Sequence, residues 1–363
     1  MRIVNVVGAR PNLMKIAPLM DAYARAPEIE PLLVHTGQHY DANMSELFFR
    51  QLGIPEPHLN LEVGSASHAV QTAEIMKAFE RVVHDRRPDV VLVVGDVNST
   101  IACGLVAVKL GVKLVHVEAG LRSFDREMPE EINRVLTDAI SDVLFCTEQS
   151  GVDNLRREGV AAEKIHLVGN VMLDTLMRHR QRAEASPVLE SLRLADRGYA
   201  VLTLHRPSNV DDPAVLAKLL DVVEGVLADQ SLVFPVHPRT RQKLADHGLM
   251  ARIEAQPGLR LVDPLGYLDF LKLMAHARVV LTDSGGIQEE TTILGVPCLT
   301  LRENTERPVT VEVGTNRLVG QRPEKILAAY REVMAARGAA GRTPPLWDGG
   351  ASGRIVEILR KTL

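Results

Sequence analysis

The feature of this sequence that most restricts its fold is a repeated alternation of short apolar runs with longer amphipathic segments. The runs have the length of buried strands, and the segments carry apolar residues at helical spacing. Predicted strands in the first half include residues 3–7, 32–36, 90–94 and 113–117, and a second series begins at residue 199. Because strand–helix repeats are typical of doubly wound parallel sheets, the sequence predicts an α/β protein with two Rossmann-like domains facing a cleft.

The chain of 363 residues is long enough for two domains. We place an N-terminal domain at residues 1–169 and a C-terminal domain at residues 170–350. A final helix, within residues 351–363, carries Ile355, Ile358 and Leu359 on one face. This apolar face predicts that the helix packs back on the N-terminal domain.

Composition excludes several classes of partner. The net charge is -4 and the basic residues are scattered, so we expect no nucleic-acid binding. No apolar run approaches the roughly 18 residues of a membrane span, and the first strand is too short for a signal sequence, so we expect a cytoplasmic protein without a membrane partner. The 12 histidines lack paired metal-ligand spacing, which predicts no metal site and no cofactor.

Residues 282–290, with the sequence TDSGGIQEE, form a candidate phosphate-binding turn between a strand and a helix. Gly285 and Gly286 allow a ligand to approach the backbone, and the unpaired N–H groups of the first helical turn attract anions. Asp283 or Ser284 can cap the helix. An ordinary capped turn has the same pattern, so the motif alone does not indicate a ligand site. The polar residues that follow the other strands favour the interpretation as a ligand site.

Polar residues follow most of the predicted strands. They are Arg10, Asp96, Glu118, His205, Arg206, His237, Asp263, Asp283, Glu306 and Arg307. Open α/β sheets bind ligands at the carboxyl ends of their strands, so two facing sheets would line one cleft with these side chains. Helix caps require Asp, Ser and Asn at the same places, but capping does not explain Arg10, His205 or Arg307.

Three groups of these residues point to chemistry. Arg10 and Lys15 flank the first turn of the opening helix, where both can face an anion, although surface solvation is the commoner fate of such residues. Asp96, Glu118 and Glu130 are candidates for acid–base work, which requires carboxyl groups in different environments. His205 and Arg206 place two basic side chains after one strand.

The carboxylates also have structural alternatives. Asp96 can cap the helix that follows it. Glu130 and Glu131 can be first-turn residues that complement the helix dipole. Glu118 is followed by Ala and Gly rather than by an evident helix start, so capping explains it less well.

These motifs together resemble the non-hydrolysing UDP-N-acetylglucosamine 2-epimerase family. The resemblance extends from the first strand to the last helix and rests on GARPN, GQHY, VGDVNST, HVEAGLRS, MPEEINR, PVHP, LTDSGGIQEE and TERP. It implies a glycosyltransferase-B-like fold, a homodimer, no metal, and interconversion of UDP-GlcNAc and UDP-ManNAc. It further implies elimination of UDP to 2-acetamidoglucal followed by re-addition of UDP.

The resemblance implies a role for each residue that matches a family motif. Asp96, Glu118 and Glu130 match the acidic reaction centre, and His205 matches a histidine near the diphosphate. The substrate-binding matches are Arg10, Lys15, Phe270, Ser284, Gly285, Gly286, Glu290 and Arg307, with Glu290 at the ribose and Phe270 at the uracil. Gln38, His39, His205 and Arg206 match a site for a second, activating UDP-GlcNAc.

The sequence departs from the family pattern at four motifs. Positions 9 and 12 are Ala and Asn, residues 97–99 read Val-Asn-Ser, position 265 is Leu, and His205-Arg206 continues as Pro-Ser. These changes leave the acidic residues in place but put in doubt the sugar substituents and the activating site. The alternatives are therefore a 2-epimerase of a UDP-diacetamido uronic acid and a glycosyltransferase of the same fold.

Overall fold

The computed structural model describes residues 1–38, 51–336 and 341–363. It divides into two compact units, of which the first contains Met1–Arg178 and Pro345–Leu363 and the second contains His179–Pro344. The sequence pattern also predicts a helix over about residues 43–52, which lies largely outside the described residues. The division between the units falls within a helix, Val171–Glu184, nine residues beyond the predicted boundary at residue 169.

The first unit is built on a seven-stranded sheet of order β3-β2-β1-β4-β5-β6-β7, in which every neighbouring pair is parallel. Its strands are β1 (Arg2–Val7), β2 (Glu30–His35), β3 (Leu59–Asn60), β4 (Val90–Val94), β5 (Lys113–Ala119), β6 (Val143–Cys146) and β7 (Ile165–Leu167). Its helices are α1 (Arg10–Tyr23), α2 (His68–Arg86), α3 (Asn98–Lys109), α4 (Pro129–Ile140), α5 (Gln149–Arg157) and the first half of α6 (Val171–Glu184), with a short 3₁₀ turn at Ala162–Lys164.

The central strands of this sheet are buried on both faces. All five residues of β4 are buried, which explains why the strand is a continuous valine-rich run rather than an alternating one. One core cluster packs β4 and β1 against Ile75 and Phe79 of α2 and Ala102 of α3. The carboxyl ends of β4 and β5 are adjacent, because Val94 pairs with Val117 in parallel register.

The last helix, α16 (Ala351–Thr362), belongs to the first unit and packs against α1. The Asp174 carboxylate accepts hydrogen bonds from the backbone N–H groups of Ala351 and Ser352 at 3.1 and 2.7 Å. The Trp347 indole donates to the carbonyl oxygen of Thr147 at 3.0 Å. The C-terminal segment is therefore held by a helix cap and by a buried aromatic anchor.

The second unit repeats the architecture with a six-stranded parallel sheet of order β10-β9-β8-β11-β12-β13. Its strands are β8 (Tyr199–Thr203), β9 (Ser231–Pro235), β10 (Leu259–Val262), β11 (Val279–Thr282), β12 (Cys298–Thr300) and β13 (Asn316–Leu318). Its helices are α7 (Val188–Ser191), α8 (Pro207–Val210), α9 (Pro213–Leu227), α10 (Pro238–Asp246), α11 (Met250–Glu254), α12 (Tyr267–Ala275), α13 (Gly285–Leu294), α14 (Val309–Glu312) and α15 (Pro323–Ala335).

The two parallel sheets confirm the predicted fold class, and the sequence pattern missed two edge strands. β3 contains only two residues, and β13 has the sequence Asn-Arg-Leu with two of its three residues exposed. Short or polar strands at a sheet edge carry no apolar run that could mark them. Among the described residues, no helix is long and apolar enough to cross a membrane.

Candidate active site

Asp96 follows β4 and is not a helix cap. The next helix, α3, begins at Asn98 with Val97 as its capping residue and without a side-chain cap. The Asp96 carboxylate instead forms an ion pair with Arg134 of α4, whose guanidinium is buried. The Asn133 amide donates to the Asp96 carbonyl oxygen at 3.0 Å. Asp96 is therefore held by two neighbouring residues of α4 while its carboxylate remains partly exposed.

Glu118 lies near the end of β5 in an unusual backbone conformation. Its φ angle is 74°, in the left-handed region that residues other than glycine rarely adopt. The side chain is buried and forms an ion pair with the ammonium group of Lys15, which is 6% exposed and extends from α1. A strained residue of this kind persists only where the surrounding contacts hold it, and such residues are frequent at functional sites.

Glu130 and Glu131 occupy the first turn of α4 but differ in environment. Glu130 is half-buried, whereas Glu131 is buried. The Glu131 carboxylate accepts hydrogen bonds from the backbone N–H groups of Ser123 and Phe124 at 3.0 and 2.9 Å, and it forms an ion pair with Arg134. Arg134 thus joins Asp96 to Glu131, while Glu130 is the partly exposed member of the pair. The sequence alone did not reveal Arg134.

The side-chain amide of Gln38 forms hydrogen bonds within the first unit. Its side-chain oxygen accepts hydrogen bonds from the backbone N–H and the hydroxyl of Ser99 at 3.0 and 2.7 Å. Its backbone carbonyl accepts one from the Gln71 amide at 3.2 Å. These bonds tie the loop after β2 to the first turn of α3. His39, the neighbouring candidate for the activating site, lies outside the described residues.

In the second unit, Asp283 holds the turn that carries His205. Its carboxylate accepts hydrogen bonds from the backbone N–H groups of His205 and Arg206, both at 2.9 Å, and lies 2.7 Å from Nδ1 of His205. Burial alone would raise the pKa of Asp283, but the His205 ring and these N–H groups lower it to about 2. The expectation that Asp283 or Ser284 caps α13 is wrong, because Ser284 occupies the capping position without a side-chain hydrogen bond.

The glycine turn at the start of α13 packs against a buried charge cluster. A Cβ atom at Gly285 would lie 2.6 Å from Nη1 of Arg307 and 2.8 Å from Oε1 of Glu306, so a larger residue would have to displace these two groups. Arg307 pairs with Glu306 at 2.6 Å and with the fully buried Glu289 at 2.7 Å. Arg307 is thus fixed beside the N-terminus of α13, next to the unpaired N–H groups of the first helical turn that favour anions.

Glu290 is buried one residue further along α13. Burial raises its pKa to about 8, and the charge of Glu289 adds to this effect, while a hydrogen bond from the Tyr267 hydroxyl at 3.2 Å acts in the opposite direction. Near neutral pH the Glu290 carboxyl is therefore mainly protonated in the folded protein.

Glu290 should make the stability of the protein fall as the pH rises. The folded pKa lies above the unfolded value, so the stabilising contribution is complete below about pH 4.5 and is lost as the pH rises through about 8. In the Glu290→Gln variant, the side chain at this position cannot titrate. Between pH 6 and 8 the wild type should lose about 2 kcal/mol more stability than this variant, since one pKa unit corresponds to about 1.4 kcal/mol.

Urea denaturation at several pH values would measure this difference. Glu312→Gln changes an exposed carboxyl group on the short helix α14 and serves as the control. Equal pH profiles for the wild type and Glu290→Gln would show that Glu290 is ionised over the whole range.

The remaining candidates lie at several places in the two units. Arg10 is the first residue of α1. Phe270 is half-buried on α12, one turn beyond Tyr267. His205 lies with its ring centroid 5.8 Å from that of His237, and Arg206 reaches within 4.0 Å of the Glu306 carboxylate. His205 and Arg206 are therefore held next to Asp283 and to the cluster behind the glycine turn.

Comparison with known proteins places the chain in a family. A family model described as UDP-N-acetylglucosamine 2-epimerase matches residues 21–360. The UDP-N-acetylglucosamine 2-epimerase of Methanocaldococcus jannaschii is 43% identical and the alignment covers 99% of each chain. The UDP-2,3-diacetamido-2,3-dideoxy-D-glucuronate 2-epimerase of Pseudomonas aeruginosa is 42% identical, with 99% of this chain and 100% of the relative covered.

A solved structure gives the same result for the three-dimensional fold. The crystal structure of Methanocaldococcus jannaschii UDP-GlcNAc 2-epimerase in complex with UDP-GlcNAc and UDP superposes with a TM-score of 0.93 at 41% identity. The superposition covers 99% of this chain and 100% of the other. Because the family model and these relatives match nearly the whole length of the chain, the chain belongs to the UDP-N-acetylglucosamine 2-epimerase family.

Proposed function

We propose that this protein is a non-hydrolysing 2-epimerase that interconverts UDP-GlcNAc and UDP-ManNAc. The observation that carries the proposal is the placement of two carboxylates, Asp96 and Glu118, at the ends of the adjacent strands β4 and β5, each paired with a buried cation. A protein that only binds a UDP-sugar gains nothing from acidic groups beside an anionic ligand. Acid–base chemistry on the sugar is what these groups can provide.

The reaction that fits these groups is elimination and re-addition of UDP. One carboxylate removes the proton from C2 of the sugar while the bond between C1 and the UDP oxygen breaks, which gives 2-acetamidoglucal and UDP. C2 then receives a proton on the opposite face, and the same UDP adds back to C1. Asp96, Glu118 and Glu130 are the proposed acid–base residues.

The second unit supplies the groups that a departing diphosphate requires. Because the C2 proton is only weakly acidic, elimination depends on stabilising the negative charge that develops on UDP. The turn residues Ser284, Gly285 and Gly286 and the guanidinium of Arg307 are proposed for this task, with His205 beside them; the Ser284 N–H already donates to the Thr282 hydroxyl at 3.0 Å, which leaves its own hydroxyl for the ligand. Glu290 is proposed to bind the ribose hydroxyls and Phe270 the uracil, while Arg10 and Lys15 contact the nucleotide-sugar from the first unit.

The test is incubation with UDP-GlcNAc in D₂O, followed by NMR of the sugar protons. We expect UDP-ManNAc to form and deuterium to replace hydrogen at C2 in both sugars. An isomerised sugar without deuterium at C2 would overturn the elimination mechanism. Accumulation of free N-acetylmannosamine would indicate a hydrolysing enzyme, and a new glycoside that forms only with an added acceptor would indicate a glycosyltransferase.

A second candidate substrate is a UDP-2,3-diacetamido uronic acid. The 42% identity to the Pseudomonas aeruginosa epimerase nearly equals the 43% identity to the Methanocaldococcus jannaschii enzyme, so overall similarity does not separate the two substrates. Comparing kcat/KM for the two UDP-sugars under one set of conditions decides between them.

On the basis of the family resemblance, we also propose that the protein is a cytoplasmic homodimer that supplies precursors for polysaccharide synthesis. A second UDP-GlcNAc as an activator is proposed on the same ground, with Gln38, His39, His205 and Arg206 as its contacts. The side-chain oxygen of Gln38 already accepts two hydrogen bonds from Ser99, so a ligand contact through that oxygen would have to replace them.

A further inference from the structure

We propose that His116 and Asp138 form a buried cross-link that positions the two carboxylates of the reaction centre, Asp96 and Glu118. This inference rests on the proposed acid–base roles of those carboxylates. His116 lies on β5 and Asp138 on α4, and both are outside the set of residues that would touch the sugar. We assign them as positioning residues.

The His116 ring bridges the two strand ends. It is completely buried, and its Nε2 lies 2.8 Å from the carbonyl oxygen of Gly95, the residue directly before Asp96. Its Nδ1 lies 2.7 Å from Oδ1 of Asp138. Glu118 follows two residues after His116 on the same strand. One side chain therefore joins the turn that carries Asp96 to the strand that carries Glu118.

Asp138 holds the backbone on the far side of Glu118. Its second oxygen, Oδ2, accepts hydrogen bonds from the backbone N–H of Gly120 at 3.0 Å and from Nη1 of Arg122 at 2.7 Å. The carboxylate thus contacts residues 116, 120 and 122, which surround the left-handed residue Glu118. These contacts account for a backbone conformation that would otherwise be unfavourable for a glutamate.

The cluster also contains a buried arginine and a second carboxylate. Arg122 also pairs with Glu158 through two hydrogen bonds, at 2.8 and 2.6 Å. Burial alone would raise the pKa of Asp138, but His116 and Arg122 lower it. A carbonyl oxygen only accepts hydrogen bonds, and so does an ionised carboxylate. Both bonds of the His116 ring therefore form together only when both ring nitrogens carry a proton.

NMR of the wild-type protein tests this geometry without any substitution. In a sample labelled with ¹⁵N-histidine, one ring should show two protons that exchange slowly with water, one on each nitrogen. Loss of that signal in His116→Gln assigns it to His116. A ring of His116 with one unprotonated nitrogen lacks one of the two hydrogen bonds and would overturn the cross-link.

Kinetics test the positioning role. His116→Gln and Asp138→Asn should each reduce kcat for epimerisation by about 10- to 100-fold, the effect of misplacing catalytic groups by up to an ångström. The Kd for UDP should stay within about threefold of wild type, because the proposed UDP contacts are mainly in the second unit. The double variant should lose no more than the worse single variant, since both remove the same cross-link.

A matched control is available in His276. Its two ring nitrogens also face carboxylates, those of Asp196 at 2.9 Å and Glu184 at 3.0 Å, but the pairs are solvent-exposed and lie in the second unit. His276→Gln should keep the wild-type kcat. Folded His116→Gln and Asp138→Asn proteins with wild-type kcat would overturn the positioning role. Failure of the wild type to exchange C2 hydrogen in D₂O would instead overturn the proposed function.

Discussion

Asp96→Asn and Glu118→Gln are each expected to reduce kcat by about 10²- to 10⁴-fold, the usual contribution of a general acid or base. The amide keeps the size of the side chain but cannot accept a proton from C2. UDP binding should change little, because the proposed diphosphate contacts lie at Gly285, Gly286 and Arg307. The measurement is a comparison of kcat, C2 deuterium exchange and UDP affinity for each variant.

The Glu118 variant needs an additional control, because its carboxylate is buried with Lys15. Removing one partner leaves an uncompensated buried charge, which typically costs about 3–5 kcal/mol of stability. Lys15→Met combined with Glu118→Gln removes both charges and should recover most of that stability. Activity should not recover, because the proton acceptor is still missing. This pair of variants separates a catalytic loss from a folding defect.

Glu130→Gln should lose activity without a comparable loss of stability, because Glu130 is only half-buried. Glu163→Gln, which alters an exposed carboxyl group in the 3₁₀ turn, is the neutral control. Wild-type activity in all three variants, at Asp96, Glu118 and Glu130, would remove these residues from the reaction centre. Loss in one variant only would assign the acid–base role to that carboxyl group alone.

The fold class and the family could both be predicted from the sequence, and both are confirmed. The strand–helix alternation predicts the fold class, because parallel strands that are buried on both faces have continuous apolar sequences such as the valine-rich β4. The motifs that follow those strands indicate the family to which the chain belongs. The edge strands β3 and β13 could not be predicted, because they lack an apolar run that distinguishes a strand from a loop.

The partners of the site residues depend on tertiary contacts that no local pattern reveals. Asp96 could have been a helix cap, and only its ion pair with Arg134 shows that it is not. Asp283 was expected at a cap, whereas it holds the His205 turn 78 residues away along the chain. Sequence spacing does not distinguish Glu130 from Glu131, and burial separates them. Nothing in the amino-acid composition indicates the positive φ angle of Glu118.

Gly120→Ala is expected to destabilise the first unit by several kcal/mol. A Cβ atom at this position would lie 2.3 Å from the carbonyl oxygen of Gly151 and 2.8 Å from its Cα, both backbone atoms of α5 that cannot rotate away. The φ angle of Gly120 is also positive, at 79°. We estimate about 1–2 kcal/mol for the left-handed conformation and about 1–3 kcal/mol or more for the steric overlap.

The contacts of Gly120 link this loss of stability to the reaction centre. Its N–H donates to Asp138 at 3.0 Å, and its carbonyl oxygen accepts from the Asn154 amide at 2.8 Å. A backbone shift that relieves the overlap would pull on Asp138, which is bound to His116. Any Gly120→Ala protein that folds should therefore also have a reduced kcat.

Gly159→Ala isolates the steric part of the effect. Gly159 has a φ of 83°, and a Cβ atom added there would have no heavy atom of another residue within 4 Å, its chain neighbours aside. Alanine at this position therefore meets only the conformational cost of about 1–2 kcal/mol. The difference between the two variants in urea denaturation measures the overlap with Gly151. Equal destabilisation by the two substitutions would mean that α5 moves freely relative to β5, and Gly120→Ala would then keep the wild-type kcat.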